Sequence, residues 1–82
     1  MKIQEIYEAC KQLNCSPAFA DHICDILVRE DFVDTWMHLK LMNMVFLPLG
    51  PIECQIMLKA QKLYWNKHTK RNKDYGKHHT VP

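Results

Sequence analysis

The sequence predicts an all-α fold, a small five-helix bundle with a long C-terminal helix. Three observations carry this. Gly and Pro are scarce, two and four in 82 residues, too few breakers for a turn-rich sandwich or barrel. Leu, Met, Lys, Gln, Glu and Ala are common, and all tolerate helix well. Apolar residues also recur every three or four positions along most of the chain.

The first helix is read at residues 3–14. Ile3, Ile6, Tyr7, Cys10 and Leu13 share one face, with Gln4, Glu5, Glu8 and Lys11 opposite. Asn14 is its stop. Ser16-Pro17 starts the second helix: Ser caps free amides, and Pro tolerates the first helical position. Phe19, Ile23, Ile26 and Leu27 form its stripe, and Arg29-Glu30 closes it. Asp31 is read as the cap of a third helix, with Asp34 in its first turn favoured by the dipole. Phe32, Val33, Trp36 and Leu39 face inwards there, and a short helix, a bend and another short helix are expected up to Phe46.

Leu47-Pro48-Leu49-Gly50-Pro51 is the strongest punctuation in the chain. Two prolines stop any helix running into it. Pro51 then suits the first position of a new helix. Ile52, Ile56, Ala60, Leu63 and Tyr64 follow at helical spacing, so the last helix runs to about Asn66, its end open to extension into the basic run. The division is a helical domain at 1–66 and a basic, disordered tail at 67–82, where Asp74-Tyr75-Gly76 breaks the pattern.

Helix order and the Pro-Leu-Gly segment together resemble the sterile alpha motif (SAM) family. The matching stretch runs from Met44 to Ala60, centred on Leu49-Gly50 before the apolar stripe of the last helix. Upstream, Leu13-Asn14-Cys15-Ser16-Pro17-Ala18-Phe19 is similar to the family's first loop. The resemblance spans about residues 5–65 and implies a five-helix bundle that binds proteins. In many members basic residues follow the Gly and meet an acidic surface on the next copy. Here Pro51, Ile52, Glu53 and Cys54 stand in those places. This departure from the family pattern favours an apolar contact, through Leu47, Leu49 and Ile52, over the charge-paired one that the resemblance implies. The same departure weighs against the RNA-hairpin binding of a few members, which needs basic residues near that helix start.

Gly50 has two readings without any family. It lets a partner approach the amides of a helix start, or it permits a tight turn and packing. Trp36 is read as core. Of Tyr64 and Trp65, one faces outward, with core packing preferred for Trp65. Met37, Met42, Met44 and Met57 are read mostly as core filler.

Charge is split. Residues 1–65 carry six Lys/Arg against eight Asp/Glu, a net of −2, and residues 66–82 carry five against one, a net of +4. The basic tail either meets a negative partner or keeps a small domain soluble. Cys10, Cys15, Cys24 and Cys54 follow no secretory signal. The expectation is an intracellular chain, in cytoplasm or nucleus, with reduced thiols packed as small hydrophobes. The longest apolar run, 41–49, is too short to span a bilayer. Met1 and the ragged tail read as a complete small protein, though an excised domain would look the same.

No chemistry announces itself. The cysteines form no C-x2-C pair, His22 and Cys24 point to different sides of a helix, and His38 stands alone. His68, His78 and His79 could hold a metal only loosely. There is no phosphate loop and no nucleophile elbow. The expectation is therefore no enzyme, no cofactor and no metal.

Two functions fit. The first is a protein–protein interaction module, binding a partner protein, another SAM-like domain or itself. Its surface would comprise Leu47, Leu49, Gly50, Ile52 and Glu53 at the start of the last helix. Asp25, Glu30, Asp31 and Asp34 would form the acidic middle surface. The second is nucleic-acid binding through Lys67, Lys70, Arg71, Lys73 and Lys77, with Tyr75 for stacking.

Overall fold

A computed structural model describes the backbone of residues 2–80 and the side chains of residues 2–68. Among the described residues the chain forms four α-helices and no strand. They are α1 (Gln4–Gln12), α2 (Pro17–Arg29), α3 (Leu41–Met44) and α4 (Pro51–Thr80), with a 3-10 turn at Trp36–His38 between α2 and α3. The all-α class is thus observed, with four helices and a turn in place of five helices.

Helix ends follow from local chemistry. Ser16 is the N-cap of α2, and its hydroxyl accepts from Ala18 N at 3.2 Å, with Pro17 at the first position. Both α1 and α2 end in the same way. Cys15 N donates to Cys10 O at 2.8 Å and Asn14 N to Lys11 O at 3.2 Å, while Asn14 adopts φ 57°. Phe32 N donates to Leu27 O at 2.8 Å and Asp31 N to Val28 O at 3.2 Å, while Asp31 adopts φ 63°. These are Schellman closures, in which a left-handed residue turns the chain and two late carbonyls find partners. Asp31 therefore ends α2 and caps no third helix. Asp34 lies in the following turn, outside any helical first turn.

Beyond each closure, Cys15 and Phe32 pack partly buried against the core that holds Cys10 and Leu27, the placement that the motif favours. The inward residues beyond them form one core. Ile6, Ala9 and Cys10 come from α1, and Ala20, Ile23, Cys24, Ile26 and Leu27 from α2. Trp36, Leu39, Met44 and Leu47 come from the middle of the chain, and Ile56, Met57 and Ala60 from α4. Full burial of one such aliphatic side chain stabilises by about 1.5–3 kcal/mol. The stripe of α4 runs through Glu53, Ile56, Met57 and Ala60 and leaves Ile52 outside it.

The 3-10 turn is held by α4. Gln61 Nε2 donates to Trp36 O at 2.9 Å and Leu39 O at 2.7 Å, and Trp65 Nε1 donates to Met37 O at 3.1 Å. Trp36 is buried, as its place on the stripe predicts, and meets Tyr64 edge-on at 5.5 Å. Across the α1–α2 face the Tyr7 hydroxyl donates to Asp21, and that bond holds the phenol above its ordinary ionisation range.

α4 continues beyond Asn66 to Thr80, so the expected boundary at residue 66 falls inside a helix. Losing the apolar stripe removes packing partners without interrupting the backbone ladder, and no proline intervenes before Pro82. The side chains of Lys70, Arg71, Lys73, Tyr75, Lys77, His78 and His79 lie outside the described residues.

Candidate partner-binding surface

Gly50, Pro51, Ile52 and Glu53 occupy the N-cap and the first three positions of α4. Glu53 Oε1 accepts from Gly50 N at 2.7 Å, and Cys54 N donates to Gly50 O at 3.0 Å. This is one half of a capping box, with Glu at the third position reaching back to the cap's amide. The other carboxylate oxygen, Oε2, accepts from His22 Nδ1 on α2. Glu53 is 8% exposed. Its charge is thus satisfied inside the fold, and it is no part of an outer contact.

Gly50 has no positive φ. Its small size matters for a different reason. A Cβ there would sit 3.3 Å from Glu53 Oε1, so a side chain would press on the carboxylate that caps the helix. The contact is close, and the carboxylate would have to give by a few tenths of an ångström to admit a side chain.

Leu47 is buried in the core, with Leu49 half-buried against it. Leu47 is therefore a packing residue, correcting its expected place in the contact. A partner can reach Leu49 in part, and Ile52, which is 46% exposed. Of the acidic set, Asp25 lies on α2, Glu30 is its C-cap, and Asp31 and Asp34 follow in the turn. All four are exposed. Asp25 has Arg29 one helical turn away at 4.0 Å, a weak exposed pair.

The largest apolar exposure lies just before α4. Leu41 is 52% exposed, Met42 66%, Val45 65% and Phe46 85%. The pairs 41/45 and 42/46 are four residues apart and all four residues are exposed, while Met44 is buried in the core. Residues 41–52 contain no Asp, Glu, Lys, Arg or His. Scattered single apolar residues are normal on a protein surface, whereas a cluster of this kind is a candidate contact. From the sequence Met42 counts with the core filler, and none of these four stands out as a contact. The available signal was the i, i+4 pairing within a stretch that has no polar face to turn towards water.

Lys67 pairs with carboxylates of α1. Its Nζ lies 3.4 Å from Glu5 Oε2 and 3.8 Å from Glu8 Oε1, tying α4 to α1. Among the described residues no three His, Cys, Asp or Glu side chains group as metal ligands. No described helix is long and apolar enough to cross a membrane. Compared with known proteins, the chain matches no family model, no curated protein and no solved structure.

Proposed function

We propose that this chain is a non-catalytic protein-interaction module of the sterile alpha motif type. It docks a partner protein through the uncharged apolar surface of residues 41–52. The observation that carries the reading is the exposed quartet Leu41, Met42, Val45 and Phe46, joined in sequence to exposed Ile52. Desolvating such side chains favours association by about 25 cal/mol per Å² of apolar area removed from water. A SAM-type arrangement is supported by the Leu49-Gly50 start of a long last helix and by the 3-10 turn, which stands where a further short helix would be.

The acidic residues Asp25, Glu30, Asp31 and Asp34 gain nothing electrostatically from an uncharged surface. The contact therefore relies on shape and apolar area, and the partner presents an apolar face. A second copy carries one such face, and two copies could pair symmetrically.

Light scattering behind size exclusion, over a dilution series at two salt concentrations, tests this. Mass that rises with concentration and resists salt is expected for self-pairing, and Phe46→Asp or Ile52→Asp should abolish it with the helical signal intact. A constant mass near 9.8 kDa would exclude self-pairing and direct the same two variants to binding assays with a heterologous partner. Partner binding untouched by both variants would remove the proposal.

A further inference from the structure

We propose that Cys10 and Cys15 form a reversible dithiol–disulfide pair at the end of α1, a redox modification site separate from the apolar surface. The closure of α1 brings them together. Cys15 N donates to Cys10 O at 2.8 Å, which holds the two Cα atoms on the order of 5–6 Å apart, within the roughly 4.4–6.8 Å that a disulfide spans. In a Schellman closure the side chains at these two positions pack against each other. Here both are thiols, and both line one cavity of about 280 Å³ with Tyr7, Lys11 and Pro17.

The two sulfurs differ in access. Cys15 is half-buried and Cys10 is buried. Burial raises the Cys10 thiol above its ordinary ionisation range, and the neighbouring Cys15 adds to the effect. Cys15 is therefore the thiol that reacts first, and Cys10 the one that resolves.

With glutathione disulfide as oxidant, the Cys15 thiolate attacks one sulfur and releases one glutathione. A mixed disulfide on Cys15 remains. The Cys10 thiolate then attacks Cys15 Sγ, forming the Cys10–Cys15 bond and releasing the second glutathione. The two electrons lost by the protein thiols reduce the one glutathione disulfide, and the two thiol protons end on the two glutathiones. An added reducing thiol reverses both steps.

The test uses the whole folded chain in a series of glutathione/glutathione disulfide ratios, quenched with acid and alkylated. Before alkylation the intact mass should be about 2 Da lower, the two hydrogens lost, and after it about two of the four thiols should carry the label. Cleavage after Lys11 and after Asp21 puts Cys10, Cys15 and Cys24 on three separate peptides, so the wild-type chain assigns the link without a variant. A Cys10–Cys15 link that a reducing thiol removes is the expected result. A Cys10–Cys24 link, a glutathione adduct on Cys15 that never closes, or four alkylated thiols at every ratio would each overturn the proposal.

Discussion

Residues 17–29 and residues 41–52 each contain eight apolar side chains, yet they place them differently. In α2 five apolar residues are buried and Val28 is the one large side chain left out. In 41–52 Met44 and Leu47 are buried, and Leu41, Met42, Val45, Phe46 and Ile52 are exposed. Interleaved charge makes the difference. Asp21, His22, Asp25 and Arg29 give α2 a face for water, so most of its large apolar residues can turn inwards. The second stretch has no such face, so whichever way a four-residue helix turns, apolar side chains meet solvent. Apolar content alone thus does not distinguish a core helix from an exposed apolar stretch.

The strongest way to break this comparison is to shorten a buried side chain of α2. Ile26→Ala should cost about 2–5 kcal/mol in denaturant unfolding, a large share of the stability of a small domain. A loss well under 1 kcal/mol would mean that α2 is no better packed than α3.

Next in size is Glu53→Ala, which strands the Gly50 amide and the His22 ring. It should cost about 1–3 kcal/mol by the same measurement. Asp31→Gly should move stability the other way. It relieves the left-handed backbone but gives the unfolded chain more freedom, for a net gain of up to about 1 kcal/mol in thermal or denaturant melts. A loss on this substitution would point to a role for the Asp31 carboxylate beyond its backbone position.

The smallest expected effect sharpens the comparison most. Phe46→Ser should change stability by no more than about 0.5 kcal/mol while weakening partner binding in the scattering assay. A large destabilisation would return Phe46 to the core and remove the contrast between the two stretches.

Much of this was legible in the sequence, and the rest was hidden for physical reasons. Ser16-Pro17 and Gly50-Pro51 announced two helix starts because capping and a fixed φ act within a few residues. Asn14 announced a stop. Asp31 misled because an acidic residue suits both a helix start and a left-handed turn, and only the path of the chain decides. The Gly50–Glu53 spacing carried the capping box, but its partner His22 lies 31 residues earlier, beyond any local rule. Leu47 and Ile52 flank the same Pro-Leu-Gly segment, and nothing in their spacing told which would be buried. The exposed quartet of 41–46 was visible as i, i+4 pairs. Apolar pairs imply burial by default, so its outward face became evident only with Met44 seen filling the core. Lys67 looked like part of a tail because its partners Glu5 and Glu8 sit at the far end of the sequence.

Gln61 gives the molecule a mechanical property. Its one amide nitrogen uses both hydrogens, on Trp36 O and Leu39 O, and so rivets both sides of the 3-10 turn to α4. One side chain thus couples both ends of the turn to the long helix, and losing that amide releases both ends together. Gln61→Glu, which sets a carboxylate against the two carbonyls, would turn that stiff coupling into a slack one.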